Sequence, residues 1–419
     1  MSFAKAASSS DVIVVGGGPG GLAAAVSAAR TGADTLLVER YGFLGGMATA
    51  GLVNPFMTYW AGEEQIIRGV LQEIIDRLTE LGAYGKGSRT AFDPEAFKLV
   101  ADRMCADSGV KLLLHTLLTD AKRSGNLIEA VEVAGKSGKQ DICAKIYVDA
   151  TGDADLAFMA GAQCEKGRVE DGLTQPMTLN FRVCRVEMSR IPPREDFNRL
   201  FDRAKAEGRI RCPRENVLMF LTTREGEVHF NQTRITGADG TSSEDLTRAE
   251  IEGRRQAWEF LDFLRRDVPG FENAEILMSG PQVGIRESRR VIGDYILTGE
   301  DVLGARKFSD AIARGSYSID IHSPTGAGTV IKHLPPGESY DIPYRCLVPL
   351  GIENLLIAGR PISATHEAHS SLRIMPICIA IGQAAGTAAA FSAKGSVRPR
   401  DLDVRLVQET LRSQGANLG

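Results

Sequence analysis

No two of the seven cysteines in this 419-residue chain form a CxxC or CxxxxC pair. That absence removes the local zinc and redox-dithiol readings. Cys105, Cys143, Cys164, Cys184, Cys212, Cys346 and Cys378 are scattered and odd in number, which points to buried free thiols in a reducing compartment. Positive charge is not in excess either. There are 49 Lys and Arg against 53 Asp and Glu, a net −4, and basic residues are scattered apart from Arg286, Arg289 and Arg290. Nothing in that balance calls for nucleic acid or an anionic membrane as a partner. The one long apolar run, Val12 to Ala29, is broken by six Gly and Pro residues and is too fractured to span a bilayer. The N-terminal MSFAKAASSS has no apolar stretch after its one lysine, so a signal peptide is not expected and a cytoplasmic location is. Internal repeats, low-complexity tracts and coiled coils are missing.

Glycine is what the chain has in excess, at 45 residues. The length suits two domains, or one large domain carrying an insertion. Asp11 to Val15 (DVIVV) reads as a short strand. The loop Gly16-Gly17-Gly18-Pro19-Gly20-Gly21 follows, then an Ala-rich helix pattern from about Leu22 to Thr31, closed by Gly32. Thr35 to Glu39 (TLLVE) reads as a second strand. This is a βαβ unit with a GxGxxG loop in register. One glycine permits the tight turn, one lets the backbone approach a pyrophosphate, and one lets helix and strand pack closely. Phosphates would sit on free N–H groups at the positive end of the helix. Glu39 ends the second strand, where a carboxylate accepts hydrogen bonds from a ribose diol and repels a 2′-phosphate, which disfavours NADP.

Spacing does not separate NAD from FAD. Three further loops favour FAD: Gly45-Gly46-Met47 close behind Glu39-Arg40, Thr151-Gly152-Asp153 after the apolar strand ending at Ala150, and Ala358-Gly359-Arg360 after the apolar run NLLIA. Between them, helices are expected over about Glu63 to Leu81 and from Asp93-Pro94, where Asp is the N-cap and Pro takes the first turn. Short strands with turns at Ser124-Gly125-Asn126 and Lys136-Ser137-Gly138 suggest a β-meander over Val110 to Tyr147. Pro176 to Val186, Val217 to Thr222 and Glu227 to Thr233 read as an antiparallel sheet, followed by a charged helix over Ser243 to Asp267. Met375 to Lys394 is a helix rich in Ala and Gly, with Pro376 at its start.

The chain resembles the glutathione-reductase-type flavoprotein superfamily, and within it the FAD-dependent oxidoreductase family. The resemblance is carried by Asp11–Arg40, LGGMAT at 44–49, DATGDAD at 149–155, VGIRESRRVIGD at 283–294, IDIH at 319–322 and Asn354–Ala389. It implies an α/β fold: a Rossmann-like FAD-binding domain with an inserted antiparallel β-sheet plus helix substrate domain. The expected division is 1–160 and 341–419 for the FAD domain and 161–340 for the substrate domain. It implies FAD contacts at Gly16, Gly18, Gly20, Glu39, Arg40, Gly45, Gly46, Gly152, Asp153, Gly359 and Arg360, with Pro19, Gly21, Met47 and Ala150 in the same loops. It also implies that the isoalloxazine lies near the helix starting at Met375. There, free N–H groups would favour the negative charge of reduced flavin by roughly 0.3–2 kcal/mol.

In flavin chemistry the cofactor carries the hydride, and the protein supplies a base and cations that hold the substrate. His366 and His369, between the flavin strand and the flavin helix, are the first candidates for the base, with Arg373 close behind. Both could equally tie down their loop. His322, two residues from Asp320 and so on the same strand face, is another candidate. Alternation would put Arg286, Ser288 and Arg290 on one face and Glu287 with Arg289 on the other, so Arg286 and Arg289 could orient an anionic group. No metal site is expected. No second GxGxxG occurs, so electrons would pass to an acceptor from outside. The expected activity is a dehydrogenase or oxidase acting on a small polar oxygenated substrate. The competing readings are a flavin-dependent C=C reductase and a non-redox flavin-binding subunit of an RNA-modifying assembly. A homo-oligomer is compatible with the sequence.

Overall fold

The computed structural model describes residues 9–419. Its central sheet runs, in spatial order, through Lys111–Leu113, Thr35–Val38, Ser9–Val15, Gly138–Asp149 and Leu355–Ile357, with every neighbouring pair parallel. The inner strands are apolar and buried on both faces, as a sheet covered by helices on each side requires. The strand Gly138–Asp149 serves two sheets. Its first half pairs antiparallel with Leu127–Gly135, which pairs with Leu117–Ser124, and its second half joins the parallel sheet. The turns between these strands fall where the sequence places Ser-Gly-Asn and Lys-Ser-Gly. The architecture is the expected α/β one, with a Rossmann-like core and additional antiparallel sheets.

Two expected elements are shorter than their patterns. The helix read from Glu63 starts at Val70, because Glu64–Gln65 folds back on Trp60–Ala61 and Gly69 turns the chain at φ +59°. The antiparallel strands contract to Phe181–Cys184, Met219–Leu221 and Val228–Phe230, joined by Glu275–Ser279. Beyond Phe181 a side chain replaces the ladder: Thr233 Oγ1 accepts from Leu179 N at 2.7 Å. The helix Ser243–Asp267 lies across this sheet with Ser242 as its N-cap. Phe181, Phe230 and Phe260 from sheet and helix meet at the centre of that layer.

The hydrophobic cores divide the chain differently from its motifs. One core joins the parallel sheet to Val291, Leu297, Ile312, Ile319 and Tyr340. Two smaller cores hold residues between Met177 and Ile285. Of the segment 289–343, the strand Ala311–Gly315 packs on the Ala/Gly-rich helix Met375–Gly395. That helix is long and apolar enough to cross a membrane by length and composition, but 89% of its apolar window is buried inside the protein.

The same helix packs backbone to backbone on the first helix, Pro19–Arg30. A Cβ on Gly382 would lie 2.0 Å from Gly20 O, and one on Gly386 would lie 1.9 Å from Ala24 O. Gly21 closes the other side, where a Cβ would stand 1.7 Å from Gly16 O. Gly386→Ala should therefore destabilise the protein by about 1–3 kcal/mol or more, despite alanine's better helix propensity. Gly395→Ala, at the exposed end of the same helix, should be neutral or slightly stabilising. Thermal unfolding of the two variants checks this, and equal melting temperatures would contradict it.

Candidate active site

The parallel strands end together, and each leads into a loop at one edge of the sheet: Gly16 after Val15, Glu39 after Val38, Ala150 after Asp149 and Ala358 after Ile357. This is where open α/β sheets bind ligands. Gly16 adopts φ +99°, and a Cβ there would lie 2.4 Å from Ala150 O, so only glycine turns the chain between these strands. Glu39 is turned into the glycine loop. Its Oε2 accepts from Gly17 N at 2.6 Å and its Oε1 from Tyr41 N at 2.9 Å, and each oxygen keeps a further lone pair. No side chain caps the helix that starts at Pro19 or the one that starts at Met375, so both present bare N-termini.

Between these loops runs a groove. Gly16, Gly18, Pro19, Gly20, Glu39 and Arg40 line one part of it. Gly46, Met47, Ala150, Gly152, Asp153, Gly359, Arg360 and Met375 line the rest. Two expected contacts stand behind it. Gly21 packs on the Gly16 turn, and Gly45 N donates to Gly17 O at 2.8 Å, so the second glycine loop backs the first. The Arg360 guanidinium pins three loops, donating to Gly152 O (2.8 Å), Asp153 Oδ1 (2.7 Å) and Ile285 O (2.7 Å). Asp149 anchors the 151–153 turn through Thr151 and Ala157 N, and full burial pushes its carboxyl up to about 6. Arg40 and Tyr41 both meet Gln282, reaching across from the inserted domain. The groove suits FAD: a glycine floor where side chains would obstruct phosphates, a carboxylate at the ribose end, and two uncapped helix N-termini for negative charge.

A larger cavity of about 510 Å³ adjoins the groove and shares Met47, Arg360, Arg373 and Met375 with it. Its walls bring together residues far apart in sequence: Asn180, Arg214, Glu215, Asn231, Arg286, Tyr317, Asp320, His322 and Thr329. His322 and Asp320 come from the strand Ile319–His322, which pairs with Thr329–Lys332. The Thr329 hydroxyl donates to Glu215 Oε1 at 2.9 Å and faces His322 Nδ1 at 3.1 Å. With its one proton given to Glu215, Thr329 accepts from Nδ1–H, and the network assigns the free lone pair to Nε2. Nε2 lies 3.6 Å from Asp320 Oδ2. Burial, reinforced by the Arg286 charge, pushes His322 down to about 3, so the ring is neutral at ordinary pH. Against its own burial, Asp320 is held well below the carboxylate range by His322 once that ring carries a second proton, and by Arg373 and the Tyr317 hydroxyl throughout.

His366 and His369 are elsewhere. His366 Nδ1 meets Glu287 Oε1 at 2.8 Å, and the same oxygen accepts from Arg290 Nη1 at 2.5 Å. That buried trio ties the helix His366–Leu372 to the strand below. His369 is fully buried with no partner at either ring nitrogen. Neither lines the cavity, because the short helix turns both rings into the core. Arg289 also lies off it, donating to Asp155 Oδ1 at 2.9 Å and covering the Phe158 ring. The alternation expected for residues 286–290 fails because only Arg289–Val291 is a strand, so Arg290 reaches back to Glu287. Arg214, Glu215 and Thr329 carried no local signal, since their roles arise from loops and hairpins that meet only in the fold. No group of His, Cys, Asp and Glu among the described residues could hold a metal ion.

A family model described as FAD dependent oxidoreductase matches residues 11–411. No curated protein matches the chain. A geranylgeranyl bacteriochlorophyll reductase-like protein from Thermoplasma acidophilum has TM-score 0.46 and 13% identity over 98% of this chain and 84% of that one. The p-nitrophenol 4-monooxygenase from Pseudomonas putida has TM-score 0.48 and 13% identity over 98% and 87%. At this distance neither likeness carries an argument about the reaction.

Three histidines, His229, His322 and His369, are buried and held below the ordinary imidazole range by desolvation first. Unfolding lets each take a proton below pH 6.5, so stability is complete above that pH and falls as the pH drops toward 3. Between pH 7 and pH 5 each should cost about 2 kcal/mol. Denaturant unfolding should weaken over that range in the native protein and weaken less in His229→Leu. The same loss in both would contradict the assignment.

Proposed function

The chain belongs to the FAD-dependent oxidoreductase family, and from that premise we propose that it oxidises an oxygenated substrate in the 510 Å³ cavity, with His322 as the base. FAD, when bound, supplies the hydride-accepting flavin N5. The residues do the rest. Arg286 and Arg373 hold the substrate. His322 Nε2 takes the hydroxyl proton. Asp320, 3.6 Å away, then balances the imidazolium. Glu215 and Thr329 fix the ring so that Nε2 is the nitrogen left free.

The observation that carries this reading is the Glu215–Thr329–His322 chain at the cavity wall. It also favours oxidation over C=C reduction, because a neutral imidazole with a free lone pair is set to accept a proton rather than donate one. The base therefore moves from His366 or His369, whose rings face the core, to His322. The sequence has no second glycine-rich nucleotide loop, so we infer an electron acceptor that arrives from solution.

His322→Gln should slow anaerobic flavin reduction by about 10²–10⁴-fold in a panel of hydroxy compounds, with FAD content unchanged. In the native enzyme kcat/KM should show no loss through the ordinary histidine range as the pH falls from 7 to 5. An unchanged reduction rate in the variant would contradict the assignment.

A further inference from the structure

Two buried arginines in the cavity wall have no carboxylate partner within ion-pair distance. Arg286 is buried and donates only to neutral acceptors: Pro176 O (2.7 Å), Thr178 Oγ1 (2.6 Å) and Asn231 Oδ1 (3.2 Å). Arg214 is 1% exposed, and its Nε and Nη1 meet no hydrogen-bond partner. The acids nearby are committed. Glu215 pairs with Arg234 at 2.7 Å, and Asp320 takes Tyr317 at 2.9 Å and faces Arg373 at 3.9 Å. Arg360 is paired with Asp153. A buried guanidinium without a counter-charge is costly. Burial lowers the pKa of both arginines; Arg214 and Arg373 lower Arg286 further against Asp320, while Glu215 offsets part of the effect on Arg214 and Arg234 opposes that relief. An anion placed between Arg286 and Arg214 would offset the burial and the repulsion of both.

Part of the remaining wall is apolar and nearer to solvent, beside polar residues such as Arg194, Asn216 and His333. Met57 is 37% and Ile331 55% exposed, with Leu218 and Phe220 half-buried beside them. The cavity therefore has two buried cations at depth and a band of apolar side chains nearer its mouth.

We propose that Arg214 and Arg286 form a carboxylate clamp, and that the substrate is an amphipathic organic acid bound head-first, its apolar body against Met57, Leu218, Phe220 and Ile331. The proposal rests on this cavity being the substrate site. A guanidinium pair matches the planar, two-oxygen head of a carboxylate. A compact, fully charged anion would leave the apolar side chains near the mouth uncovered and forgo their contribution.

Calorimetric titration of the FAD-loaded protein with hexanoate, hexanamide, acetate and inorganic phosphate tests this. Hexanoate should bind at least about tenfold more tightly than either hexanamide or acetate, the first difference measuring charge and the second apolar contact. Arg214→Gln should remove most of the hexanoate preference and leave hexanamide binding and FAD content unchanged. Equal binding of hexanoate and hexanamide by the native protein overturns the clamp. Phosphate binding as tight as hexanoate overturns the amphipathic acid. The comparison in the native protein stands even if the variant fails to fold. Neither result depends on turnover. Hexanoate preference with no effect of His322→Gln on reduction would keep the clamp and remove the base, and the reverse pattern would do the opposite.

Discussion

Two helices that meet without side chains hold this protein together. Pro19–Arg30 and Met375–Gly395 run parallel, with Gly382 against Gly20 and Gly386 against Ala24. Spacing by four residues on both partners keeps the contact in register. Their N-termini consequently point to the same edge of the sheet, the Met375 end reaching further along it. Two uncapped N-termini together concentrate partial positive charge, which is unfavourable unless something negative lies in front of them. A dinucleotide with a pyrophosphate and a reducible, anion-forming ring satisfies both ends with one molecule. The glycines thus act twice, once in packing and once in placing the two ends that face the cofactor.

From that constraint follows the division of labour in the site. The groove is built almost wholly from backbone and from loops at strand ends, and its charged side chains are turned to structural use: Glu39 into the glycine loop, Arg360 across three loops. The adjoining cavity is the opposite, with its chemistry in side chains brought from the inserted domain and the Ile319–Lys332 hairpin. The two spaces touch only at Met47, Arg360, Arg373 and Met375. Arg360 and Gln282 tie the two spaces together, through Ile285 O on one side and Arg40 and Tyr41 on the other.

What the sequence revealed follows the same line. The βαβ unit, Glu39, the loops at 45–47, 151–153 and 358–360, and the helix at Met375 were legible because each is local: a strand, a turn and a helix within a few residues. The helix Ser243–Asp267 was legible as a charged helical stretch, and the structure adds its Ser242 cap. His322 with Asp320 was visible as a pair two apart on a strand, but nothing marked it above His366. Only the fold reveals that His366 and His369 point inward, and that Thr329 and Glu215 cross from other loops to orient His322. Arg214 sits in an irregular stretch without period or motif. Its partner-free burial is a property of three dimensions alone.

The most direct test of the account is the crystal structure of the FAD-loaded protein. The adenine-side ribose should lie at Glu39, the phosphates over the glycine loop, and the isoalloxazine at the Met375 N-terminus, with one face open to the cavity that contains His322, Arg286 and Arg214. A ring seated away from Met47 and Met375, or walled off from that cavity, would contradict it.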